Sequence, residues 1–118
     1  MEIDISNFPK VKVVFPETLD EYNFQYLINT WNELYDQQKD FEFIFDTRKL
    51  SSVPFQYCYE IAVFISLLKE RPVQYLKKSI IIVDSYWIQK LLDVVFMIQK
   101  PVSKVNIVNS DGDLISEL

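Results

Sequence analysis

Ser79-Ile80-Ile81-Ile82-Val83-Asp84 is the stretch on which the fold turns. Ile80, Ile81, Ile82 and Val83 are all β-branched and apolar, the composition of a strand in the middle of a parallel sheet. Asp84 or Ser85 then caps a helix of about Tyr86–Gln99, in which Ile88, Leu91, Leu92, Val95 and Phe96 recur at helical spacing. Pro101 stops that helix, Val105-Asn106-Ile107-Val108 reads as the last strand, and Ser110-Asp111-Gly112 turns the chain into a short tail. On the amino side, Tyr75–Lys78 leads into the strand, and a helix of about Phe55–Glu70 ends before Pro72, with Pro54 suited to its first turn. Phe41-Glu42-Phe43-Ile44-Phe45-Asp46 is apolar and aromatic enough for a second buried strand. Thr18-Leu19-Asp20-Glu21 has the form of a capping box opening a helix of about Leu19–Gln38, with Phe24, Leu27, Ile28, Trp31, Leu34 and Tyr35 as its core stripe. Two short strands, Glu2–Ser6 and Val11–Phe15, open the chain and pair antiparallel at one edge. The expectation is an α/β fold of order β-β-α-β-α-β-α-β, a mostly parallel sheet with helices, in a single domain over residues 1–118.

Composition excludes several chemistries. Twelve Lys and Arg against seventeen Asp and Glu give a net charge of −5, which disfavours nucleic acid as a partner. There is no His, so His-based triads and His-ligated zinc are out. The single glycine, Gly112, leaves no phosphate-cradling loop, and the single cysteine, Cys58, leaves neither an internal disulfide nor a multi-Cys metal site. No cofactor and no metal is expected. Residues 1–20 lack a basic-then-apolar leader and no apolar run is long enough for a bilayer, which predicts a cytoplasmic location with no integral membrane segment.

The element order resembles the STAS domain, the SpoIIAA-like fold of anti-sigma-factor antagonists, and the lipid-binding lobe of CRAL-TRIO proteins that shares it. The local likeness to STAS lies in Phe43-Ile44-Phe45-Asp46 followed by the loop Thr47-Arg48-Lys49-Leu50-Ser51-Ser52-Val53. The likeness to CRAL-TRIO lies in Arg71-Pro72-Val73-Gln74-Tyr75-Leu76-Lys77-Lys78, then Ile80–Val83, Trp87 and Lys100-Pro101. The STAS resemblance implies a non-enzymatic regulatory module that binds a protein partner through the second helix and the loop before it, using Ser51, Ser52, Phe55, Gln56 and Tyr59. Pro54-Phe55-Gln56-Tyr57 stands where phosphorylatable members carry an acceptor serine and a glycine, so the usual phosphoregulation is not expected. The CRAL-TRIO resemblance implies the alternative, a small carrier of a lipid or other apolar ligand.

Individual residues fit these readings. Asp46 and Asp84 follow apolar strands, at the carboxyl ends where parallel sheets place ligands. They are candidate rim carboxylates, and capping of backbone amides explains their positions fully without a metal. Asn109-Ser110-Asp111-Gly112-Asp113 lacks the closing Glu of a calcium loop and reads as a solvent turn. Cys58 has no base to activate it and reads as a small buried apolar residue. The second helix carries one charge, Glu60, between Lys49 and Lys69. Its surplus of Tyr57, Val63, Phe64 and Leu67, like Trp87, Val94, Met97 and Ile98 on the third helix, is either a helix–helix seam or an exposed patch. Such a patch and a free sheet edge both permit a homodimer. Residues 17–42 are acidic and 69–104 basic, so Lys69, Arg71, Lys77 and Lys78 offer a basic stripe.

Overall fold

A computed structural model describes residues 1–118. The elements in chain order are β1 (Glu2–Asp4), β2 (Lys10–Val14), α1 (Glu21–Asp36), β3 (Phe41–Asp46), α2 (Gln56–Lys69), β4 (Leu76–Ile82), α3 (Tyr86–Ile98), β5 (Lys104–Val108) and β6 (Leu114–Glu117). They form one six-stranded sheet whose spatial order is the sequence order, β1 through β6. The pairings β2–β3, β3–β4 and β4–β5 are parallel, as the alternation of strands and helices predicts. Both edges are antiparallel: β1 against β2, as expected, and β6 against β5. The sheet is therefore mixed rather than mostly parallel.

The sixth strand corrects the sequence reading, which ended in a tail. Asn109 makes the return: its Oδ1 accepts from the backbone N–H groups of Asp111 and Asp113 at 3.0 and 2.9 Å, and Gly112 takes a positive φ of 87°. The turn is short enough to fold Leu114–Glu117 back onto β5, which no local propensity in that segment announces. β4 also begins earlier than predicted, at Leu76, because a register shift against Phe41–Glu42 absorbs Lys77 and keeps Leu76 and Ser79 on the same buried side.

All three helices pack on one face of this sheet. Trp31 of α1 lies edge-on to Phe43 at 5.0 Å and to Phe64 of α2 at 5.1 Å, and Phe24 stacks on Tyr57 at 4.9 Å. Each such pair adds about 0.5–1.5 kcal/mol beyond simple burial. Val11, Val13, Phe41, Phe43, Phe45, Ile81, Val105 and Ile107 are the strand residues beneath them, all buried. Tyr57 and Phe64, ambiguous from sequence, thus pack against α1, whereas the sequence suggested a seam between α2 and α3.

The capping box is not formed. Asp20 is the N-cap of α1, accepting from Asn23 N–H at 2.8 Å, while Thr18 is drawn into a parallel bridge with Ser52. Of the two candidates for α3, Ser85 is the cap.

Candidate functional site

The loop before α2 is fastened to the segment before α1. Ser51 and Ser52 N–H groups both donate to Glu17 O, at 2.9 and 3.2 Å, and Leu19 N–H donates to Ser52 O at 3.1 Å. Ser51 Oγ also reaches Glu17 O at 3.3 Å. This holds the chain so that Ser51, Ser52, Phe55, Gln56 and Tyr59 are all exposed along the loop and the first turns of α2. Phe55 stands at the N-cap of α2, and most of its side chain is open to solvent.

Val63 and Leu67, half of the apolar surplus on this helix, extend the exposed surface. Phe55, Tyr59, Val63 and Leu67 are 62%, 61%, 39% and 56% exposed, an i, i+4 ladder down the whole of α2. The opposite side of the same helix, Tyr57, Cys58, Ala62, Ile65 and Leu68, is buried. The spacing 55, 59, 63, 67 was present in the sequence, but periodicity alone does not say which of two apolar stripes turns inward. On α3, Trp87, Met97 and Ile98 are likewise exposed.

The rim carboxylates behave differently from one another. Asp46 is buried and gripped by Arg48, whose Nε and Nη2 donate to its two carboxylate oxygens at 2.9 and 2.7 Å while the Arg48 backbone N–H donates at 3.1 Å. The Arg48 hydrogen bonds hold the Asp46 carboxyl below its ordinary pKa against the opposing effect of burial. A carboxylate engaged in this way has little left for a cation. Asp84 is exposed. No group of three or more acidic or Cys side chains is arranged to hold a metal ion.

Two of the four residues of the basic stripe are paired within the molecule. Arg71 donates to Asn32 Oδ1 at 3.0 Å, lies 3.8 Å from Asp36 and stands over the Tyr35 ring, and Lys77 is 3.8 Å from Asp40. The acidic and basic halves of the chain therefore meet at the end of α1 and the start of β4.

Between the helices and the carboxyl ends of the strands lies an apolar cavity of about 130 Å³. Phe15, Leu19, Leu50, Cys58, Ile88 and Leu91 are among its walls, with the half-buried Val53, Ile61 and Leu92 toward the outside. Burial pushes the Cys58 thiol pKa up, away from nucleophilic chemistry. The wall's one hydroxyl from threonine, Thr47, is spent on Ile82 O at 2.7 Å. No family model, curated protein or solved structure matches this chain. The carrier reading places its pocket at the apolar surplus of the second and third helices, yet only Tyr57 of that surplus lines this cavity, because a cavity is what several elements leave between them. No helix is long and apolar enough to cross a membrane.

Proposed function

We propose that the chain is a non-enzymatic, cytoplasmic regulatory module of STAS-like, SpoIIAA-like type that captures a protein partner on the outer face of α2. The observation that carries the reading is the ladder Phe55, Tyr59, Val63 and Leu67, four large apolar side chains left in water by a helix whose other side already fills the core. Exposed apolar patches of this kind mark interaction sites. An i, i+4, i+8, i+12 ladder fits the apolar face of a partner helix, packed ridge into groove. Ser51, Ser52 and Gln56 supply the polar rim beside it. The test is capture of such a partner from the native cell by the intact protein, repeated with Phe55→Ala/Tyr59→Ala. Loss of at least about tenfold in capture with an unchanged thermal midpoint is the expected result; undiminished capture overturns the reading.

The cavity favours a second reading, a carrier of an apolar ligand. Its volume of about 130 Å³ is below the range of about 300–1,000 Å³ typical of drug-sized sites, so the ligand would be a small hydrocarbon-like molecule rather than a phospholipid. Native mass spectrometry decides: a mass added by one small apolar molecule supports it, and a bare chain that also ignores added benzene counts against it.

A further inference from the structure

The helices cover one face of the sheet, and the strands are built as though both faces were covered. Val14, Ile44, Ile80, Ile82 and Val108 alternate with the buried core residues and therefore point to the other side, where they are half-buried by their strand neighbours alone. Runs such as Ile80-Ile81-Ile82, apolar on both sides, are the mark of a strand enclosed from above and below. The strand registers lay this helix-free face out in rows. Lys10, Glu42, Lys78 and Lys104 form the first. Asp4, Lys12, Ile44, Ile80, Asn106 and Glu117 form the second, and Glu2, Val14, Asp46, Ile82, Val108 and Leu114 the third. Asn106 Oδ1, in the middle row, is buried without a hydrogen-bond partner.

We propose that this face closes on a second copy of the chain through a two-fold axis running along β4. Such an axis sets Ile80 and Ile82 against themselves, Val14 against the partner's Leu114, and Ile44 against the partner's Asn106. It also brings Glu42 opposite the partner's Lys104 and Lys12 opposite the partner's Glu117, each pair occurring twice, while Asp46, already paired with Arg48 in its own chain, meets the partner's Val108; four charge pairs thus match across the face. Lys104 and Glu117 already form a 2.7 Å pair within each chain, and the added Lys12 extends it into a network beside the unpartnered Asn106 oxygen. One like-charged meeting, Lys78 against the partner's Lys78, falls in the outermost row beside Glu42. Strands thus aligned, in sheets about 10 Å apart, fall within the usual geometry of two packed sheets. About that axis β2 to β6 overlap the partner's strands, and five strands about 4.8 Å apart and some 18 Å long give a footprint of roughly 430 Å² before side-chain relief. That is about half of the ~800 Å² of accessible surface per partner in a stable interface.

The test begins with sedimentation of the intact protein, expected as a dimer. A zero-length carbodiimide cross-link between Lys12 and Glu117 is expected within it. Those residues lie on β2 and β6, four strand spacings or about 19 Å apart in one chain, so the link forms only between chains. Lys12→Glu and Glu117→Lys, each alone, should dissociate about a hundredfold more readily, and an equimolar mixture of the two should recover the dimer because opposite charges again face each other. Both variants are at exposed positions, and far-UV circular dichroism checks that they fold. A chain monomeric at about 100 µM overturns the proposal. So does a dimer without the Lys12–Glu117 link, or one that both variants leave intact. The Phe55→Ala/Tyr59→Ala variant lies on the opposite side of the molecule and leaves this dimer unchanged, so the two readings fail separately.

Discussion

Asp46 joins structure to solution behaviour at the scale of one residue. Its side chain is 10% exposed and that of its partner Arg48 43%. The Arg48 hydrogen bonds lower the carboxyl pKa in the folded protein, whereas the unfolded chain returns it to about 3.9. The folded state therefore binds fewer protons, and the stabilisation is complete above the unfolded value and lost as pH falls through the folded one. After allowance for solvent around the half-exposed guanidinium, its size is about 1 kcal/mol. Urea unfolding from about pH 7 down to about pH 2 should show wild-type stability falling more steeply than that of Asp46→Asn below about pH 4. Identical slopes would remove Asp46 from the account. In the sequence, Asp46 was legible as a strand-end carboxylate; that Arg48 would turn back to clasp it was not, because an i, i+2 bidentate pair depends on the loop's path.

At the scale of the element, α1 shows which local signals are decisive. Thr18 and Asp20 both suit an N-cap, but the bridge from Thr18 to Ser52 places the helix start two residues later. Asp20→Ala should cost about 1 kcal/mol in urea unfolding and Thr18→Ala less than about half of that. The reverse ranking would restore the capping box. The helix itself was legible from the spacing of Phe24, Leu27, Trp31, Leu34 and Tyr35, all of which are buried. α2 was legible as a helix and not as an oriented one, since Tyr57 and Cys58 go inward and Phe55 and Tyr59 outward within one turn. Resemblance named Phe55 and Tyr59 as partner-facing, and the apolar surplus of the helix named Val63 and Leu67. The exposed ladder through Val63 and Leu67 lengthens that surface toward the carboxyl end of the helix.

At the scale of the whole molecule, sequential strand order with all helices on one side produces two further features, the cavity and the open sheet face. The cavity is close in size to the ~150 Å³ apolar cavities that admit benzene. Benzene at about ten times its dissociation constant should add about 1.4 kcal/mol to stability, or roughly 4–6 °C in thermal midpoint. Val53→Phe, at a half-buried wall position, should abolish that rise. A midpoint indifferent to benzene would show that the space is closed by side-chain adjustment. The sequence by itself determined the five leading strands, the three helices and the parallel middle of the sheet, because hydrophobic periodicity and Pro, Ser and Asp punctuation act over a few residues. Only the tertiary structure decided the return of β6, the inward side of α2, the Arg48–Asp46 clasp and the bare face carrying Ile44, Ile80 and Ile82. Those depend on which surfaces meet across the chain, and an apolar side chain reads the same in sequence whether a helix, a ligand or a second molecule comes to cover it.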